Sequence, residues 1–208
     1  MRDMDWLTAS HPLFLELRKN LLWHCTSVNE FKQIQRDAYI KPNDGSARKW
    51  GHRLTACQQF DAVSLFDFAT EPADKVLSAC PQWHQFLSCD TPLTIILGIE
   101  PSRITGRLVR YPENKDTLLK PDALGPIPWV EVCHCGPIPI TSVSIYLVVY
   151  SEDHSRFWPR EILNDAELEK IQLEIAPEFA AEKEKRRQAN FGVDELNKYL
   201  KKMRDGGN

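Results

Sequence analysis

Few residues in this chain could do chemistry, and they are scattered along it. His24 and Thr26 flank Cys25 in the run LLWHCTS, after the apolar entry Leu21, Leu22 and Trp23. Side chains alternate across a strand, so His24 and Thr26 share one face while Cys25 points to the other. A strand histidine is ordinarily a hydrogen-bonded structural residue, and ligand contact is the sharper alternative. Glu131 stands alone in the apolar run WVEVCHC. A glutamate is costly in a buried strand unless paired, so it belongs either to an exposed edge or to a site that uses its charge. Arg48, Lys49, His52 and Arg53 cluster around Trp50. Such a group can meet phosphates or stack on a base, and it can equally be a solvated loop. Cys80, His84, Cys89 and the Cys133-His134-Cys135 run would be the ligands of a zinc site, although none of them forms a Cys-x-x-Cys pair.

The elements that must position these residues follow from pattern. Ser27 and Glu30 make a capping box, and Val28, Phe31 and Ile34 recur at helical spacing, so a short helix begins directly after the His24 strand. Ala38 stands where a helix stop favours glycine, and Tyr39, Ile40 and Pro42 resume an extended pattern. A leading helix is expected from Ser10 as cap, Pro12 in the first turn and the stripe Leu13, Phe14, Leu17. Residues 61–68, DAVSLFDF, read as a core strand, 71–89 as a helix interrupted at Pro81, and 93–99, LTIILGI, as a central strand buried on both sides. A short strand is expected within 104–109. In 129–135, Trp129, Glu131 and Cys133 share one strand face; Gly136 to Pro139 break the ladder, and 144–150 form a final strand. Beyond 151 the composition turns charged and helical, with Asn164 and Glu167 as a capping pair, Leu168, Ile171 and Ile175 on one face, and Pro177 restarting the helix.

A length of 208 residues suits one domain with a real core and a helical appendage. Lys and Arg number 26 against 29 Asp and Glu, a formal charge of −3, so any nucleic-acid contact must be a local patch. The opening MRDMDWLTAS has charges and no apolar signal region, and no stretch approaches the roughly 20 apolar residues of a membrane helix. These features predict a soluble, cytoplasmic protein with no membrane partner, its six cysteines reduced.

Residues 21–42 resemble the first strand and helix of the ADP-ribosyltransferase fold, in which a His-x-Thr or related pair grips NAD and is followed by an Asn and an apolar helix. The matching residues are His24, Thr26, Asn29, Phe31 and Ile34. Residues 129–150 resemble the DarT-like, nucleic-acid-modifying branch: Glu131 and Val132 in an apolar strand, a Pro-x-Pro turn, a small polar residue and a hydrophobic strand. The resemblance covers about a third of the chain.

It implies an α/β (α+β) fold with a split, mostly antiparallel sheet and flanking helices. Residues 1–150 would form the catalytic domain, and 151–208 a charged helical extension packed on it. NAD would be the substrate and no metal would be needed. Glu131 would hold the ribose 2′-hydroxyl and oppose the developing positive charge, His24 would hold the adenosine-side ribose, and the backbone at Cys25 the carboxamide. Thr26 and Asn29 would supply neighbouring polar contacts, and Ser64, Phe66 and Phe68 would line the nicotinamide pocket. Such toxins carry a functional arginine in a loop at this place, for which Arg53 is the first choice and Arg48 the second. The implied acceptor is DNA or RNA, with protein as a variant, and a toxin of this kind implies an antitoxin partner. An RNA 2′-phosphotransferase-like enzyme and a non-catalytic binding domain of the same fold remain as rival readings.

Overall fold

The computed structural model describes residues 9–42, 56–81, 83, 92–110, 113, 127–150 and 154–184. Helix α1 (Pro12–Leu17) has Pro12 in its first turn, so the cap falls on the preceding His11, whose Nδ1 accepts from the Leu13 N–H at 3.2 Å; Ser10 is not the cap. Strand β1 (Leu22–Ser27) runs into helix α2 (Val28–Asp37) through the expected capping box. The Ser27 hydroxyl accepts from Glu30 N at 3.2 Å, and the Glu30 carboxylate accepts from Ser27 N at 3.0 Å. Ala38 ends α2 at φ 59°, a left-handed position that costs a non-glycine residue about 1 kcal/mol. This turn leads at once into β2 (Tyr39–Ile40).

The remaining elements are α3 (Ala56–Gln59), β3 (Ala62–Phe66), α4 (Ala73–Ala79), β4 (Leu93–Ile99), β5 (Leu108–Val109), β6 (Glu131–Cys135), β7 (Ile138–Pro139), β8 (Val143–Tyr150) and β9 (Phe157–Arg160). Seven strands form one sheet in the order β5-β6-β3-β1-β4-β8-β9, every neighbouring pair antiparallel, and β2 with β7 forms a second, two-stranded sheet. The chain is therefore of the α+β class with a mostly antiparallel sheet. Along most neighbours the register runs for several residues, but β1 and β3 meet at the single pair Trp23↔Phe66. The large sheet is thus two halves, β1-β4-β8-β9 and β3-β6-β5, joined at one point.

Register explains how the two faces are filled. Trp23, Ile96, Leu147 and Val149 lie on one face and pack with Leu13, Phe14 and Leu17 of α1, Val76 of α4, Phe68, Cys80 and Trp83. The opposite face carries Tyr146, against which Phe31 of α2 packs edge-on at 5.8 Å. β4 is buried at every residue, as its unbroken apolar run requires. Within it, Gly98 leaves room for its neighbours: a Cβ there would lie 2.6 Å from Ile145 and 2.8 Å from Trp23.

Three sequence expectations need correction. Trp129 is not in the Glu131 strand. It occupies a turn at φ 67°, closed by Val130 N donating to Ile127 O at 3.3 Å, because Pro128 pre-sets the backbone for the position before it. β8 is not the final strand, since β9 pairs with it, and the compact units are Met1–Leu163 and Asn164–Asn208, so the division falls after β9 and not after residue 150. In the second unit a helix, α5, is described over 165–184; Asn164 caps it by accepting from Glu167 N at 2.9 Å. α5 continues through Pro177 where a restart was expected. The bond that proline forfeits would have gone to the carbonyl of Leu173, a residue 68% exposed, where water can serve instead. Among the described residues no helix is long and apolar enough to cross a membrane.

Candidate active site

Glu131 opens β6 opposite Phe66 of β3 and is 8% exposed. Two donors hold its carboxylate. The Ser64 hydroxyl donates to Oε1 at 2.9 Å, and the backbone N–H of Ile127 donates to Oε2 at 3.1 Å. The second donor exists because the Pro128-Trp129 turn folds Ile127 back over the start of β6, where Glu131 N also donates to Ile127 O at 2.9 Å. Burial pushes the Glu131 carboxyl above its ordinary value, and the bonds from Ser64 and Ile127 only partly oppose this. Of the two sequence readings of this glutamate, the exposed edge is excluded: β6 lies between β3 and β5, inside the sheet.

On the other side of the split, the His24 ring reaches the same residue of β3. Its Nδ1 lies 3.0 Å from the Ser64 carbonyl oxygen, so a ring tautomer with the proton on Nδ1 donates to it. Ser64 therefore touches His24 through its main chain and Glu131 through its side chain. The contact takes this form because alternation along β1, with the Trp23↔Phe66 register, sets Trp23 and Cys25 on the Glu131 face and His24 and Thr26 on the reverse.

The other sequence candidates are placed as follows. Thr26 is buried and donates to the Glu30 carboxylate at 3.2 Å, which makes it part of the α2 cap. Asn29 is exposed in the first turn of α2. Cys25 is half-buried against the core, beside Phe66, which stacks on Phe68 at 6.3 Å. Phe68 itself is fully buried and meets Phe14 edge-on at 6.2 Å, so its ring belongs to the packing between sheet and α1. Arg48 and Arg53, with Lys49, Trp50 and His52, lie outside the described residues.

Two features of this neighbourhood escaped sequence reasoning. Cys57 of α3 and Cys133 of β6 form a disulfide, their Cα atoms 5.1 Å apart, so the expectation of six reduced thiols fails for this pair. The residues are far apart in sequence and share no motif, so only the tertiary approach of α3 to β6 could pair them. The second feature is Asp67, at the end of β3 and 3% exposed, which accepts from Ala69 N, Thr70 N, Thr70 Oγ1 and, at 2.5 Å, Arg110 Nη1. Burial pushes this carboxyl up, but the bonds from Thr70 and Arg110 outweigh it and hold its pKa below the ordinary value. The signal was present in the string DFAT, since Asp followed by Thr at such spacing is an Asx-turn pattern.

The zinc alternative finds no assembled ligand set. Among the described residues no group of three or more His, Cys, Asp or Glu could hold a metal ion; His84 and Cys89 lie outside them. Cys133 is in the disulfide, His134 turns its two ring nitrogens to the carbonyls of Gly136 and Thr105 at 3.1 and 3.2 Å, and burial pushes the Cys80 thiol up to about 12.

The sequence matches no protein-family model and no curated protein.

Proposed function

We propose that this chain is an NAD-dependent ADP-ribosyltransferase that modifies nucleic acid, with Glu131 as its catalytic carboxylate. One observation carries the reading: a buried glutamate sits at the junction of two half-sheets, held by Ser64, while His24 of the facing half-sheet reaches that same Ser64. A transferase that breaks the bond between nicotinamide and ribose needs a carboxylate fixed beside the sugar, because the departing nicotinamide takes the bonding electrons and leaves an oxocarbenium-like C1′. Glu131 would accept a hydrogen bond from the ribose 2′-hydroxyl and oppose that charge. A nucleobase nitrogen or oxygen would then attack C1′, and the proton it loses passes to solvent or to a base. His24 would bind the adenosine-side ribose, the Cys25 backbone the carboxamide, and Arg53 or Arg48 a phosphate. The enzyme would act in the cytoplasm, where NAD and nucleic acid meet, and as a toxin it would have an antitoxin.

The test is incubation of the protein with labelled NAD and separate pools of DNA, RNA and protein, with Glu131→Gln alongside. Label in a nucleic-acid pool that the substitution lowers by roughly a hundred- to thousandfold is the expected result. Label that persists unchanged in Glu131→Gln overturns the assignment, and an activity that needs no NAD points to the 2′-phosphotransferase reading. Expression of the wild-type chain should arrest growth, and expression of the variant should not.

A further inference from the structure

The disulfide lies against the candidate carboxylate. Cys133 follows Glu131 by two positions on β6, so both side chains take the same sheet face, and Ser64 pairs with Cys133 in register. Cys57 Sγ is 3.5 Å from Glu131 Oε1, the oxygen that already accepts from Ser64. A sulfur in a disulfide has no hydrogen, so in the oxidised form this approach sets lone pairs against the carboxylate and supplies no donor. The same sulfur as a thiol has an S–H at a distance suited to donation, since sulfur donors act at longer range than oxygen or nitrogen.

Resting on the transferase reading, we propose that Cys57 and Cys133 form a thiol–disulfide switch on Glu131: the disulfide leaves its carboxylate two donors, and the dithiol adds a third from Cys57. The step needs a dithiol reductant. Two electrons and two protons pass from it to the protein, the S–S bond breaks, Cys57 and Cys133 become thiols, and the reductant closes its own disulfide. The Cα separation of 5.1 Å lies in the range that a disulfide spans, so closing and opening require no movement of α3 relative to β6. In a reducing compartment a disulfide in such a place is usually transient and redox-sensing. The titratable groups about Glu131 are Cys57 from α3 and Cys133 from its own strand, with His24 of β1 reaching Ser64 from across the split. A weak S–H donor that favours the ionised form over the buried neutral acid increases the fraction of carboxylate at a given pH.

The experiment uses the full chain equilibrated with dithiothreitol or with oxidised glutathione, the state of each sample verified by peptide mapping of the Cys57–Cys133 link. Infrared spectroscopy reads the carboxylic-acid band of Glu131, identified by its loss in Glu131→Gln, at the pH midpoint of that band. Reduction should weaken the band in the wild type and raise NAD turnover by about threefold to tenfold. Cys57→Ser, which keeps a donor and cannot close the link, should match the reduced wild type under both conditions. Cys57→Ala should match the oxidised form under both. A band of equal strength in verified oxidised and reduced wild type overturns the switch, as does the absence of any Cys57–Cys133 linked peptide under oxidant. Because the wild type alone decides this, a variant that fails to fold does not block the test. A redox-dependent band with NAD turnover absent in both states removes the transferase reading and leaves the switch standing.

Discussion

Glu131 and Asp67 are both buried, and their surroundings push their proton affinities in opposite directions. At Glu131 desolvation prevails over the bonds from Ser64 and Ile127, so the folded protein holds that proton more tightly than the unfolded chain does. Its contribution to stability is therefore full below the ordinary carboxylate range and is lost as pH rises through the raised value. Glu131→Gln, with no charge to bury, should melt at a temperature that increasingly exceeds that of the wild type as pH rises; thermal melts across a pH series check this, and a gap that shrinks with rising pH would contradict it. At Asp67 the bonds from Thr70 and Arg110 prevail over burial, so its contribution is present above the ordinary range and lost as pH falls through the depressed value. Asp67→Asn should cost about 1–3 kcal/mol near neutral pH, a difference that closes in acid, as urea unfolding at several pH values would read. Ser64→Ala removes a donor to Glu131, so the acidic limb of transferase activity should move to higher pH. An unmoved limb would detach Ser64 from the ionisation of Glu131.

Between neighbouring elements, backbone geometry decides what each position tolerates. Ala38 closes α2 at φ 59°, and Ile140 N donates to its carbonyl at 3.0 Å, which ties the turn to the segment after β7. Ala38→Gly keeps that bond and relieves the left-handed strain, so it should stabilise the protein by about 1 kcal/mol, read as a higher urea midpoint at unchanged slope. Gly98 has the opposite character. Its strand position is ordinary, but a methyl group there would press on Trp23, Ile145 and Leu21. Gly98→Ala should destabilise by about 1–3 kcal/mol and blue- or red-shift the Trp23 fluorescence; an unaffected melting temperature would mean that the sheet shifts to make room. These two glycine questions could be posed from sequence, since a helix stop lacking Gly and a Gly inside an apolar strand are both anomalies. Their answers needed the neighbouring elements, because crowding at Gly98 comes from β1 and β8.

For the whole molecule, the point of interest is the single Trp23↔Phe66 pair that joins the half-sheets. Trp23 is fully buried and its indole N–H donates to Leu17 O at 2.8 Å, so one residue fastens α1, β1 and the split. Trp23→Phe should cost about 1–3 kcal/mol by leaving that carbonyl unsatisfied, and NAD affinity should fall with it because His24 and Glu131 lie on opposite halves. Calorimetric titration checks the affinity, and binding that survives a verified loss of stability would separate the junction from the site. Local physics made much of this legible in the sequence: the capping box at Ser27 and Glu30, the buried strand β4, the isolated Glu131 and the pairing of polar residues at His24 and Thr26 are all set by neighbours within a turn or a strand. The exposed-edge and chemical readings of Glu131 could not be told apart there, since strand order is a long-range property. Tertiary structure alone placed β6 inside the sheet, turned Thr26 to the α2 cap and Phe68 to the core, and brought Cys57 to Cys133. It did so because pairing across distant segments depends on which faces bury together, and alternation along one strand carries no record of its partner.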